Sequence, residues 1–354
     1  MPSNKPLPIP ENFAERARTG ATIPELETEF SVSSDTIKRW RRVTGTRLCD
    51  LGLLSKTNLP KAPQSLPPPP EVQVIRPQIY APRKYRGTTR PQVQVLCLSD
   101  PHAGAITPSY NPGVFKTRMK DLYHGVTLIR SLHAKQHPIE KLVIFCLGDV
   151  VQGENVGYQM SLDEYAYSVY DQCYKLWLPA AVEFIENLLG QYSSIEWYGV
   201  KGNHGLGGNR IASRSTNWDM VAHQALMNTL GGNKRITFKL EPTEFYLIVP
   251  VLKWKWMLLH GDARSFQAAP DYMVNRRMAE WELSLGVDGF AMGHWHRTEL
   301  RWPRKSPIVL SGTLKSHDEY SLRYYGSSAI PSQATFGCHM DRPITWFYRL
   351  DLGR

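Results

Sequence analysis

No run in this 354-residue sequence approaches the ~20 consecutive apolar residues that a membrane-spanning helix needs. The run Phe245–Leu252 is only eight residues long and is interrupted by Pro250. The opening residues, MPSNKPLPIP, have no apolar stretch of the kind that marks a secretion signal. Cysteine is also scarce. Cys49, Cys97, Cys146, Cys173 and Cys338 are odd in number, scattered and nowhere in CxxC spacing, which argues against a disulfide framework and a zinc knuckle. Cys97 and Cys146 lie inside apolar runs, where a free thiol behaves as a small hydrophobe, and this usage suits a reducing compartment. The expectation is a cytosolic protein with no membrane partner.

Acidic residues are in deficit, 32 against 42 basic ones, for a net charge of +10. Residues 1–91 carry a surplus of 7 positive charges and the remaining 263 a surplus of 3, so most of the excess lies in the first quarter of the chain. Such a balance favours polyanionic partners. With 42% apolar residues and 11% aromatic ones, the chain has ample material for a folded core.

Nine prolines fall within residues 60–91, including Pro67–Pro70. Proline removes backbone donors and fixes φ, so no helix or central strand persists there. Residues 51–91 are expected to be an extended basic linker between a small unit, 1–50, and a large one, 92–354. In the small unit Thr22 is placed to cap a helix with Pro24 and Glu25 in its first turn, and Leu26 and Phe30 share one face. Ser31-Val32-Ser33 reads as a turn. A second helix over about 34–43 is expected to turn Ile37 and Trp40 inward and Lys38, Arg39, Arg41 and Arg42 largely outward.

This pattern resembles the helix-turn-helix of DNA-binding regulators and recombinases, in which the second helix enters the major groove. Two positions depart from it: Ser31 stands where glycine is commonest, and Glu27 where a small residue usually packs. The resemblance implies a DNA partner contacted by Lys38, Arg39, Arg41 and Arg42. The alternative is a helical module that binds protein or caps the larger unit.

Beyond the linker, VQVLCLSD (93–100), KLVIFCLGD (141–149), IEWYGVKGNH (195–204), LKWKWMLLHGD (252–262) and VDGFAMGHWH (287–296) are short apolar runs that end in polar residues. Helical stretches are expected over 113–135, 164–190, 215–229 and 271–285. Strands alternating with helices predict a layered α/β domain. In LKWKWM, Trp254 and Trp256 share one face and Lys253 and Lys255 the other, the period of a half-buried strand. The five run ends supply Asp100, His102, Asp149, Asn203, His204, His260, His294 and His296. Strand carboxyl ends are where α/β proteins place chemistry. Imidazole, carboxylate and amide oxygen without thiolate suit Mn²⁺, Fe or Zn²⁺, with Mn²⁺ the first expectation.

The series SDPHAG, LGDVVQGEN, KGNHG, LLHGD and MGHWH resembles the calcineurin-like metallophosphoesterase superfamily over roughly residues 93–315, and its motif order is most similar to the DNA repair nuclease branch. The resemblance implies a two-sheet β-sandwich flanked by helices, with two divalent metal ions at the edge between the sheets. It assigns Asp100, His102 and His296 to one metal, Asn203, His260 and His294 to the other, and Asp149 to both. Gly293 is expected to permit a tight turn before His294. His204 would stabilise the transition state or protonate the leaving group, but Gly205 stands where the family often has a carboxylate, leaving Asp219 or Asp318 as candidates to orient His204. Arg210 and Arg214, with Arg264, Arg276 and Arg277, are expected to hold flanking phosphates.

These expectations combine into a two-metal DNA phosphodiesterase, a nuclease or DNA-end processing enzyme, in a bacterial or phage-infected cell and compatible with a homo-oligomer. The alternatives are a phosphomonoesterase or nucleotide phosphatase, and a DNA-binding regulator or adaptor with a structural metal domain.

Overall fold

The computed structural model describes residues 8–18, 21–44, 91–154, 167–206, 216–240, 245–262, 279–315 and 330–353. The chain divides into two compact units, Met1–Pro68 and Pro69–Arg354. Most of the expected linker lies outside the described residues. No helix among the described residues is long and apolar enough to cross a membrane.

The first unit contains α1 (Phe13–Arg18), α2 (Ile23–Phe30) and α3 (Ser34–Thr44). Thr22 and Glu25 form a reciprocal capping box at the start of α2. Ser31 ends that helix with φ 50°, the left-handed conformation that glycine adopts more readily. Phe13, Leu26, Ile37 and Trp40 are buried together, with Phe30 and Val32 packed against them. The helix α1 carries no strong periodic signal, and its Phe13 completes this core by meeting Trp40 edge to face at 5.2 Å. One expectation fails here. Lys38 and Arg42 are exposed and Arg39 half-buried, but Arg41 is buried. It follows Trp40 on the shoulder of the apolar face, where the long stem of arginine is drawn in with its neighbour.

The second unit is built on two mixed sheets. The six-stranded sheet has the order β11-β10-β1-β2-β3-β4. Its strands are β1 (Gln92–Leu98), β2 (Ile139–Cys146), β3 (Ser194–Gly199), β4 (Ile236–Leu240), β10 (Ser332–His339) and β11 (Arg342–Asp351). β1 to β4 run parallel, and the β10–β11 hairpin joins the free side of β1 antiparallel. The five-stranded sheet has the order β5-β6-β7-β9-β8, from β5 (Tyr246–Val251), β6 (Trp254–Leu259), β7 (Gly289–Met292), β8 (Glu299–Arg301) and β9 (Ile308–Leu310). Here β6, β7 and β9 are parallel.

Side-chain alternation sorts the core into layers. Val93, Val95 and Cys97 of β1, with Val143 and Phe145 of β2, pack on Val249, Trp256, Leu258, Ala291 and Val309 of the other sheet. The intervening Leu96, Leu98, Leu142, Ile144 and Cys146 face the helices. Both faces of β1 are therefore covered, which explains its unbroken burial. Trp254 and Trp256 do share the inner face of β6, with Lys255 exposed.

Helix α4 (Pro112–His133) is capped by Asn111, whose side chain accepts from the N–H groups of Gly113 and Val114. It buries Phe115, Met119, Leu122, Val126 and Ile129, the spacing of one helical face. The stretch expected over 164–190 is not one regular helix. α5 (Val169–Asp171) passes through a π-helical turn, Gln172–Trp177, into α6 (Leu178–Leu189), just before Pro179, which has no N–H to continue the ladder. Helix α7 (Trp218–Leu230) starts at the cap Asn217. Residues 279–285 are helical; the rest of the stretch expected over 271–285 lies outside the described residues.

Phe145 links the two sheets through ring contacts with Tyr198, Trp256 and Phe336. Phe145→Ala is expected to destabilise the second unit by about 3–5 kcal/mol, read from the shift of its urea unfolding midpoint at unchanged slope.

Candidate metal centre

Five parallel strands end at one place. The loops after β1, β2 and β3 come from one sheet and those after β6 and β7 from the other, and they bring together all eight residues that the sequence marks. Asp100, His102, Asp149 and His260 form a buried floor, while Asn203, His204, His294 and His296 form a half-buried rim. Ligand atoms of Asp100, His102 and His296 all lie within 4.8 Å of one another, as do those of Asp149, His260 and His294, and those of His102, Asp149 and His204. Asp149 thus belongs to groups on both sides. His260 Nε2 stands 3.0 Å from Asp149 Oδ2 and 3.0 Å from Asn203 Oδ1. His296 Nε2 is 3.2 Å from Asp100 Oδ1, and His102 Nε2 is 3.7 Å from it.

The residues fit a divalent metal. Asp100 Oδ1 is buried without a hydrogen-bond partner, a costly state for a carboxylate unless a cation takes it. Burial opposes a charge on His260, yet the adjoining Asp149 carboxylate raises its proton affinity well above the usual imidazole range. That carboxylate therefore sits where positive charge is wanted. Burial holds His294 down to about 4, which favours the neutral ring that ligates metals.

The backbone is bent to deliver these groups. Asp100, His102, Asp149, His294 and His296 all have φ between 45° and 66°, a region that L-residues enter at a cost of about 1–3 kcal/mol each. Such conformations persist only where neighbouring contacts fix them. The Asp100 N–H donates to the Gly148 carbonyl at 3.1 Å, the His102 N–H to the Asp149 carbonyl at 3.0 Å, and the His294 N–H to Asp100 Oδ2 at 2.9 Å. Ser99 Oγ also donates to Asp100 Oδ2. Gly293 serves this packing differently from the expected tight turn. Its φ is not among the positive ones; instead, a Cβ there would overlap Ser99 Oγ and come within 2.7 Å of Asp100 Oδ2. Gly202 is needed for the same reason, since a Cβ would strike Asp149 Oδ1.

Asp219 is not the partner of His204. Its Oδ2 accepts the N–H groups of Asp149 at 2.9 Å and Gly202 at 2.7 Å, and its Oδ1 those of Val150 at 2.9 Å and Val151 at 3.3 Å. It ties the loop after β2 to the loop after β3. Burial and the Asp149 anion push its carboxyl up to about 7. Asn217, the cap of α7, adds a bond from Nδ2 to the Gly202 carbonyl at 2.8 Å. His204 is oriented by a backbone group: its Nδ1 lies 2.8 Å from the Gln152 carbonyl. A carbonyl only accepts, so Nδ1 carries the hydrogen and Nε2 faces Asp149 Oδ2 at 3.9 Å. Burial lowers the proton affinity of His204. The π-helical turn supports this edge, because Gln172 Oε1 accepts from the Gly153 N–H at 2.8 Å and Nε2 donates to the Gly153 carbonyl at 3.1 Å.

Arg210, Arg214, Arg264, Arg276, Arg277 and Asp318 lie outside the described residues. One group the sequence motifs do not mark is Lys315, buried in the segment after β9; its charge disfavours protonation of both His102 and His204. The signal available was SGTLK, a further polar sequence directly after an apolar strand.

Replacing Asp219 by Asn sets an amide N–H₂ against two of the four donors. Asp219→Asn is expected to cost about 2–6 kcal/mol, from ~1–3 for each stranded buried donor. An unchanged urea midpoint would contradict the role.

No family model matches the chain, and neither does any curated protein. Among solved structures, the chain is similar to a hypothetical protein from Pyrococcus horikoshii at 11% identity and a TM-score of 0.38, over 74% of this chain and 89% of that one. It is similar to vacuolar protein sorting 29 from Cryptosporidium parvum at 16% identity and 0.34, over 70% and 85%. It is also similar to an archaeal phosphodiesterase at 12% identity and 0.32, over 73% and 99%. These identities and scores are too low to assign a family or a substrate.

Proposed function

We propose that the chain is a metal-dependent phosphoester hydrolase that acts on DNA. The observation that carries this reading is the set of three His/Asp groups at the ends of the two sheets, two of which share Asp149 and two of which share His102. Asp100, His102 and His296 would hold one divalent ion, Asn203, His260 and His294 a second, and Asp149 would bridge them. The donor set admits Mn²⁺, Fe or Zn²⁺, with Mn²⁺ preferred. Two such ions supply a water of lowered pKa and neutralise phosphoryl oxygens as charge builds on phosphorus.

The chain's own residues do the rest. His260 is fixed by its Nδ1 against the Leu147 carbonyl at 2.7 Å, so Nε2 points at Asp149 and Asn203. His204, fixed through Gln152, presents Nε2 to the same space and would pass a proton to the leaving oxygen, a strongly basic alkoxide that needs one. The phosphoryl charge beside it favours the imidazolium that burial opposes.

The DNA reading rests on the first unit. Lys38 and Arg42 are exposed and Arg39 half-buried on α3, which follows a tight turn from α2, and residues 1–91, the expected linker included, hold a surplus of 7 of the net +10. Joined by the linker, such a module would raise the local concentration of DNA at the metal site.

Cleavage of single- or double-stranded DNA, or of bis-p-nitrophenyl phosphate, is expected with Mn²⁺ and not with EDTA. Asp149→Asn is expected to lower it by more than ~100-fold, the upper range for groups that merely support metal ligands. Absence of Mn²⁺-dependent cleavage of every ester tested would defeat the reading; cleavage of p-nitrophenyl phosphate alone would move the substrate to phosphomonoesters. Lys38→Ala with Arg42→Ala is expected to flatten the log–log salt dependence of DNA binding by about 2, near 0.9 for each DNA phosphate no longer neutralised. An unchanged slope would remove α3 from the interface.

A further inference from the structure

We infer that Gln172 is a positioning residue for His204, acting through the peptide unit that joins Gln152 to Gly153. The inference rests on the hydrolase reading and gives His204 the orienting group that Gly205 cannot be.

One planar unit lies between the two side chains. The Gln152 carbonyl and the Gly153 N–H belong to the same peptide bond, so neither turns without the other. The N–H donates to Gln172 Oε1 at 2.8 Å, and the carbonyl lies 2.8 Å from His204 Nδ1. Gln172 holds Gly153 by both backbone groups, because its Nε2 donates to the Gly153 carbonyl at 3.1 Å. The same Nε2 donates to the Tyr167 carbonyl at 2.9 Å. With one N–H and two carbonyls as partners, the amide has a single satisfied orientation. Gln172 is fully buried where the π-helical turn begins, an irregularity of the kind that recurs at functional sites. A Cβ at Gly104, in the loop after β1, would overlap its Cγ, so the side chain is gripped by contact as well as by bonds.

His204 needs such an anchor. Its backbone N–H donates to Asp149 Oδ1 at 2.8 Å, which fixes the main chain but not the ring. The ring meets His102 edge to face at 4.6 Å, and among the described residues the Gln152 carbonyl is its one hydrogen-bond partner. A bond accepted from the Gly153 N–H also polarises the shared peptide and strengthens its carbonyl as an acceptor. Gln172 therefore sets both the place and the strength of the group that keeps hydrogen on Nδ1 and turns Nε2 toward the centre.

The test combines two readouts. In the metal-free full chain, nitrogen NMR of ring-labelled histidine reports which nitrogen of His204 carries the hydrogen, with the signal assigned by its loss in His204→Ala. The spectra are taken at mildly alkaline pH, where imidazoles are neutral. Wild type is expected to show Nδ1–H, and Gln172→Met a mixture of both tautomers. In the Mn²⁺-loaded full chain, hydrolysis is compared for diphenyl phosphate, whose phenolate leaves with difficulty, and bis-p-nitrophenyl phosphate, whose leaving group needs little protonation. Gln172→Met is expected to keep the wild-type metal content and KM, and to lose at least about tenfold in kcat on the phenyl ester alone, a fraction of the ~10²–10⁴ that proton transfer supplies. On a His204→Ala background the same substitution is expected to cost under about threefold, since the two residues act as one unit. Should Gln172→Met not fold, Gln172→Asn, one methylene too short to hold Gly153 in the same way, is judged by the same criteria. A wild type without Nδ1–H, a tautomer unchanged in the variant, or equal losses on the two esters would each overturn the inference. A lost tautomer preference in a chain that cleaves no ester would uphold the anchor and sink the hydrolase. Ester cleavage with the tautomer indifferent to Gln172 would do the reverse.

Discussion

Four backbone N–H groups converge on the Asp219 carboxylate, and the centre depends on that convergence. Asp149, Val150 and Val151 come from the loop after one strand and Gly202 from the loop after the next. Neither loop closes on itself, so without a shared acceptor each would leave buried donors unpaired. The same bonds hold Asp149 in its left-handed backbone conformation and set Asn203 and His204 just beyond Gly202. A single side chain at the start of α7 therefore fixes the bridging carboxylate and two rim residues together. The remaining ligands depend on a second set of bonds around Asp100, which accepts from Ser99 and His294 and whose carbonyl takes Thr313 and Leu314.

Much of this was legible in the sequence. Apolar runs that end in Asp, Asn or His gave the strand ends and the eight polar residues, because a strand buried on both faces is a continuous hydrophobic run with an abrupt polar stop. The cap of α2 was legible for a related reason: Thr22, Pro24 and Glu25 act within one turn. What remained hidden depends on distant partners. β10 reads as polar, yet Ser332, Gln333 and Thr335 are buried. Gln333 exchanges bonds with both backbone groups of Ser99, and Thr335 donates to the Val95 carbonyl. No local pattern reveals polar residues satisfied more than 200 positions away. Asp219 is legible as an acid near the centre, but its partners are backbone groups, which leave no trace in residue identity.

The electrostatics of the centre follow from position rather than composition. Residues 92–354 are nearly balanced in charge, yet the Asp149 carboxylate is the foremost charge acting on His204 and His260 at the centre. Burial is the largest influence on each imidazole and lowers His102, His204 and His294, while at His260 the adjoining Asp149 carboxylate outweighs burial and the proton affinity rises. Identical side chains within a few ångströms are thereby made chemically distinct.

The pairing of β1 with β10 sets Val93 opposite Cys338. During synthesis β1 emerges long before that partner exists. One whole row of its amide and carbonyl groups stays open while β2 and β3 add to the other side, and an open apolar edge is a template for unwanted association between nascent chains. The order of assembly, more than the final stability, is thus where this architecture is most vulnerable: its central strand is among the first to be made and the last to be closed.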